Sequence, residues 1–183
     1  MSVRRLAVVG AALIAAAVLA TAALAELTSV KLGQTKQNYL CSAQWMWIQT
    51  AATDVSYVAP ADGKLTKWLV NGGRHAGTMQ FLVWRPAGGT DYTLRYISPE
   101  TTLIAGQINC VALGPRVRVH AGDVIGLRSV SGIDCALKTD STGDTYVYNN
   151  SGIEPAVGQT VHFNGDGGPA GFRFNIAAMF RPT

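Results

Sequence analysis

Charge is scarce in this 183-residue chain, where fifteen Lys and Arg face eleven Asp and Glu for a formal net charge of +4. Arg4 and Arg5 fall in an N-terminal leader, so the remainder carries 13 − 11 = +2. A balance that mild excludes the basic footprint of a nucleic-acid binder. Several chemical signatures are also missing. There is no G-x-S-x-G elbow, no H-E-x-x-H pair and no C-x-x-C spacing, so the ordinary layouts of a serine hydrolase, a zinc protease and a zinc or redox cysteine site are absent. Beyond residue 25 no apolar stretch keeps a helical period for three turns, which argues against a helical bundle.

Glycine and short apolar runs are abundant instead. Nineteen of the twenty glycines follow residue 25, about 12 per cent of that part against a typical ~7 per cent. Leu, Val, Ile and aromatic residues remain plentiful there, so disorder is a poor reading.

Residues 1–25 read as a secretory signal helix. Arg4 and Arg5 are the only charges before Glu26, an uncharged run follows from Leu6 to Ala25, and Ala23-Leu24-Ala25 places small residues where a signal peptidase needs them. Cleavage there leaves a secreted, extracellular protein with no membrane anchor. Residues 26–38 are polar and weakly periodic, a flexible lead-in or a short edge strand, and 39–183 form one domain.

In that domain, alternation of apolar and polar residues recurs between Gly, Pro, Asp and Asn clusters. The clearest case is the last run, where Phe172, Phe174, Ile176, Ala178 and Phe180 alternate with Arg173, Asn175, Ala177, Met179 and Arg181. Strands are expected at 39–50, 54–59, 64–71, 77–84, 91–98, 102–111, 115–120, 123–129, 133–138, 144–148, 158–163 and 171–181. Each buries one face, as antiparallel sheets do, so the expected fold is all-β, an antiparallel two-sheet sandwich. Residues 149–170 hold many turn formers and read as a long surface excursion.

Val117-Arg118-Val119-His120-Ala121-Gly122-Asp123-Val124-Ile125-Gly126-Leu127 alternates into a tight turn and out again, which reads as a hairpin. With Gln49-Thr50, the stretch Val58 to Trp68, Val83-Trp84-Arg85-Pro86 and Asp134-Cys135-Ala136-Leu137, it resembles exported jelly-roll-like β-sandwich proteins of GC-rich Gram-positive bacteria. The likeness runs from about Cys41 to Phe180. That group carries no assigned activity, so the resemblance implies a jelly-roll-like fold and no active site. Spacing alone leaves all three pairings of Cys41, Cys110 and Cys135 open. The resemblance implies Cys41–Cys135, with Cys110 a buried thiol. Cys110–Cys135 is the alternative, because both cysteines flank the same turn.

His75, His120 and His162 are scattered in sequence, none beside a visible partner for proton transfer or metal ligation. Two stretches have the oxygen ligands and sharp turns calcium favours: Asp140, Thr142 and Asp144, and Asn164 with Asp166 among Gly165, Gly167 and Gly168. Neither completes an EF-hand, and the plain reading of each is an Asx turn. No cofactor is expected. Trp45 and Trp47 lie two apart and share a face, as a platform for a sugar ring or as core, core being favoured for Trp47. Trp68 and Trp84 read as core residues, each expected to place its indole N–H on a carbonyl. Tyr146 and Tyr148 read as an exposed platform beside Asn149 and Asn150.

The expected function is a secreted non-catalytic module that binds an extracellular glycan, cell-wall polymer or protein. Its candidate site residues are Tyr146, Tyr148, Asn149, Asn150, His162, Asn164 and Asp166, carried on loops at one end of the sandwich. A structural or surface-assembly protein is the alternative, and a secreted hydrolase a third reading.

Overall fold

The computed structural model describes residues 29–115, 117–166 and 171–183, and of Gly165 and Asp166 the backbone only; the signal at 1–25 lies outside the described residues. Among the described residues there is no helix, and sixteen strands follow in chain order. They are β1 (Val30–Gln34), β2 (Tyr39–Cys41), β3 (Met46–Ala51), β4 (Gly63–Asn71), β5 (Thr78–Gly88), β6 (Asp91–Ile97), β7 (Thr101–Thr102) and β8 (Ile108–Ala112). There follow β9 (Arg118–Val119), β10 (Val124–Ser129), β11 (Ile133–Lys138), β12 (Thr145–Asn149), β13 (Thr160–His162), β14 (Asn164–Asp166), β15 (Phe172–Phe174) and β16 (Ile176–Pro182).

Every strand pair is antiparallel. One sheet runs β1-β16-β4-β8 with β9 on β4, a larger one runs β13-β6-β5-β10-β3-β12-β14 with β7 on β5, and a small one runs β15-β11-β2. The first two meet through the inward residues of β4 and β5, where Trp68 stacks on Phe81 at 5.9 Å and both are fully buried. Within the segment 26–38, Val30–Gln34 forms an edge strand on β16.

Several expected strands are broken where the chain changes sheets. The run 39–50 is two strands, β2 on β11 and β3 between β10 and β12, joined by a turn in which Gln44 takes a positive φ of 64°. The run 171–181 keeps its period of two yet divides at Asn175, so that β15 pairs with β11 and β16 with β1 and β4. Asn175 is wholly buried and makes the corner. Its Oδ1 accepts the Asn71 N–H at 2.9 Å, and its Nδ2 donates to the carbonyls of Asn71 at 2.7 Å and Asp134 at 2.8 Å. Such satisfaction is required of any amide buried in a low-dielectric interior.

The expected hairpin around Ala121-Gly122-Asp123 is likewise a corner, because β9 joins β4 in one sheet and β10 joins β3 and β5 in the other. Buried Asp123 holds it, accepting the His120 N–H at 2.8 Å and a bidentate pair from Arg85 at 2.8 and 3.0 Å. Of residues 149–170, expected as a surface excursion, 150–154 and 156–160 are exposed, but Pro155 and Phe163 are buried. Phe163 is fully buried with its ring edge-on to Trp84 at 5.1 Å, and β13 extends the large sheet beyond β6. Glu154 anchors the same segment, since its Oε1 accepts from Gln80 at 2.9 Å and its Oε2 stands 3.6 Å from the buried Arg128 guanidinium. Trp68 and Trp84 are core as expected, but neither indole N–H finds an acceptor among the described residues.

Candidate functional site

Cys41 and Cys135 are disulfide-bonded with Cα atoms 5.6 Å apart. The bridge ties β2 to β11 beside a run of aromatic rings that four segments converge to make. β2 supplies Tyr39, the turn before β3 supplies Trp45, and β3 supplies Trp47. Tyr146 and Tyr148 come from β12, and Phe172 and Phe174 from β15. Tyr148 stacks on Trp45 at 5.3 Å, Trp45 leans on Trp47 at 5.9 Å, and Trp47 reaches Phe174 at 6.0 Å. From there Tyr146 stands edge-on to both Phe174 and Phe172, and Phe172 meets Tyr39 at 4.6 Å.

These contacts make a ribbon of seven rings, six of which line a groove with a cavity of about 160 Å³. Trp47 and Phe174 are its buried base, Trp45, Tyr146 and Phe172 are half-buried along the sides, and Tyr39 is 46% exposed at the rim; Tyr148, half-buried, backs Trp45 from outside the cavity. Burial, with the phenols of Tyr39 and Tyr148 nearby, pushes the Tyr146 hydroxyl above its ordinary pKa, so it stays a neutral donor. Among the described residues no charged side chain lines the cavity; Ser42, Tyr39 and Tyr146 bring its polar groups.

Two polar clusters hold β15, and so two of the rings, against β3 and β12. Buried Gln49 donates to the carbonyls of Ala51, Thr145 and Phe172 and accepts the Phe174 N–H. Asp144, fully buried, accepts the Thr53 N–H at 2.8 Å, the Thr139 hydroxyl at 2.7 Å and Arg173 Nε at 2.7 Å. Burial pushes the Asp144 carboxyl up, but these three donors together pull harder and hold it below the usual carboxylate range. Both its oxygens are thus engaged by protein donors and its charge is met by Arg173, while Asp140 is exposed.

The candidate site residues therefore do not form one site. Tyr146 and Tyr148 lie on one face of β12 and are half-buried in the aromatic ribbon rather than exposed. Asn149, His162 and Asn164 line a different cavity of about 360 Å³ that also includes Met46, Ile153 and Gln159. There Asn149 is buried and committed, its amide donating to the His162 carbonyl at 2.8 Å while its oxygen accepts from Ser151. Asn150 is exposed just beyond β12. Asp166 pairs through its backbone with Val147; its side chain, like Gly167 and Gly168, lies outside the described residues.

The histidines are not as isolated as their sequence positions imply. Each ring Nδ1 faces an aspartate: His75 faces Asp134 at 2.9 Å, His120 faces Asp62 at 3.3 Å and His162 faces Asp91 at 2.6 Å. The first pair is the most built. Asp134 also accepts the N–H groups of Arg74 at 2.6 Å and His75 at 3.1 Å, and Gly73, at φ +56°, brings its backbone against that carboxylate where a side chain has no room. Burial raises the Asp134 pKa, and the His75 and Arg74 donors outweigh it, leaving the carboxyl below its ordinary range. This dyad opens on a polar cleft of about 490 Å³ with Gln37, Asn38 and Arg74, and no hydroxyl or thiol lines that cleft among the described residues. The arrangement fixes the orientation of the imidazole at the edge of that cleft.

Cys110 is free and exposed, not the buried thiol expected. No helix of the described residues is long and apolar enough to cross a membrane. No protein-family model, no curated protein and no solved structure matches the chain.

Proposed function

We propose that this protein is a secreted, non-catalytic β-sandwich module of jelly-roll-like form that binds a neutral extracellular glycan or cell-wall polymer in the aromatic groove. The observation that carries the reading is the set of six rings whose side and rim members stay partly open around a cavity that no charged side chain of the described residues lines. Aromatic faces carry partial negative charge, so they attract the weakly positive C–H groups on the flat side of a sugar ring, while tyrosine hydroxyls remain free for hydrogen bonds. An uncharged lining favours a neutral ligand, because an ionic one would lose hydration without a counter-charge. The leader and the disulfide support an extracellular setting.

The test is retention of the mature domain on insoluble cell-wall polysaccharide and on neutral and acidic glycan arrays, with and without calcium. Retention on neutral glycan that calcium does not change, and that Trp45→Ala abolishes, supports the reading. Retention by a protein partner alone, or by acidic polymer alone, contradicts it. One observation favours a role in assembly as the second reading: β8 ends its sheet on an edge free of charged side chains.

A further inference from the structure

We infer that β8 pairs edge to edge with β8 of a second copy of this chain, antiparallel, about a two-fold axis at Cys110. Among the described residues β4 is the only strand paired with β8. The Gly72 N–H donates to Gln107 O at 2.8 Å and the Leu113 N–H to Thr66 O at 2.9 Å, which fixes the phase of the β4–β8 ladder. Residues 107, 109, 111 and 113 turn their backbone groups toward β4, so Ile108, Cys110 and Ala112 turn theirs outward. Such an edge is a template for another strand unless charge, proline or a bulge guards it.

Within β8 these guards are absent. No charged residue occurs from Thr101 to Pro115, the β4–β8 register runs without a shift, and Ile104 and Ile108 are 62% and 52% exposed. An uncharged edge offers nothing to steer a charged partner, whereas a second copy of the same edge matches it. In the two-fold register Ile108 of each copy stands opposite Ala112 of the other, and Cys110 stands opposite itself. Cys110 is the only cysteine outside the disulfide. A hydrogen-bonded antiparallel pair sets Cα atoms ~5.5 Å apart, inside the ~4.4–6.8 Å that a disulfide spans.

In an oxidising compartment the two thiols close by exchange with an external disulfide such as oxidised glutathione. Each thiol loses its proton, a sulfur–sulfur bond forms between the copies, and the glutathione disulfide takes two electrons and two protons to leave as two thiols. This pairing is independent of the groove reading, because β1, β16, β4, β8 and β9 contribute no ring to the ribbon.

The test uses the mature protein in analytical ultracentrifugation under reducing conditions, and in non-reducing gels with peptide mapping after oxidised glutathione. The wild type is expected to form a reversible dimer and then a Cys110–Cys110 cross-link. Cys110→Ser should keep the reversible dimer and lose the cross-link. Ile108→Lys with Ala112→Lys should abolish both, because like charges then face each other across the two-fold. Ile108→Lys with Ala112→Glu should restore both, because position 108 then meets its opposite charge. Circular dichroism and melting confirm that these exposed-edge variants fold. A wild type monomeric at all concentrations, a double-lysine variant that dimerises like wild type, or a charge-paired variant that stays monomeric would overturn the inference.

Discussion

The two faces of β12 meet opposite fates. Tyr146 and Tyr148 point to one side and join rings from β2, β3 and β15, while Val147 and Asn149 point to the other and are buried, Asn149 in the wall of the cavity that Ile153, Gln159 and His162 also line. On that side Asn149 spends its amide groups on His162 and Ser151. On the aromatic side the rings touch one another and leave their outer surfaces partly open. Adjacent residues thus belong to different environments because a strand alternates faces at every step. A binding surface drawn as Tyr146 to Asn150 joins one half that is available to a ligand with another whose polar groups are already used.

The largest way to break this contrast is to release the framework behind the rings. Replacing Cys41 and Cys135 together with Ala removes a bridge across 94 residues of sequence and should cost about 4 kcal/mol of stability, read by denaturant unfolding, with groove binding falling in step. Asp144→Ala should cost about 3 kcal/mol or more, because it leaves the Arg173 guanidinium and the Thr53 N–H without their partner. The same carboxylate gives a sign to the pH dependence. Its folded pKa is depressed, so its contribution is fully present above the ordinary carboxylate range of ~4 and is lost as pH falls through the lower folded value. Melting temperature against pH should drop steeply below that range in the wild type and less steeply in Asp144→Asn.

Smaller substitutions sharpen the comparison. Asn149→Ala should lower stability by roughly 1–2 kcal/mol by leaving the His162 carbonyl and Ser151 without their partner, yet leave glycan affinity nearly unchanged. The smallest expected effect is that of replacing His75, His120 and His162 together. Their pairs with Asp134, Asp62 and Asp91 have imidazoles that are 60%, 60% and 68% exposed, where solvent screens the attraction, so the melting temperature should change little. Binding should persist in that variant, and the appearance in wild type of a hydrolytic activity that it lacks would argue for an enzyme instead.

Much of the strand pattern was legible because burial leaves a period of two in the residues. Phe174, Ile176, Ala178 and Phe180 are buried as that alternation requires. The same period hides the places where the chain changes sheets. Alternation passes unbroken through Asn175, and only a wholly buried amide on the polar side of the pattern marks the corner. The turn at Gly122 reads as a hairpin for the same reason, since local alternation does not say to which sheet each arm goes. The Cys41–Cys135 pairing came through resemblance, and spacing alone left three choices. The histidine–aspartate pairs were illegible because their members lie 59, 58 and 71 residues apart. Trp45 and Trp47 were visible as a pair two apart, but their continuation through Tyr148, Phe174 and Tyr146 depends on β12 and β15 arriving beside β3.

The most direct measurement is a titration of the mature protein with soluble neutral cell-wall oligosaccharide, comparing Trp45→Ala with Asn149→Ala by calorimetry. Trp45 is half-buried on the groove side and Asn149 is buried on the other, so the two variants report on the two faces of β12 separately. The account predicts that Trp45→Ala weakens binding by about 2 kcal/mol, as expected of an aromatic hot spot, while Asn149→Ala binds like the wild type. Wild-type affinity in Trp45→Ala, with binding lost in a folded Asn149→Ala, would contradict it.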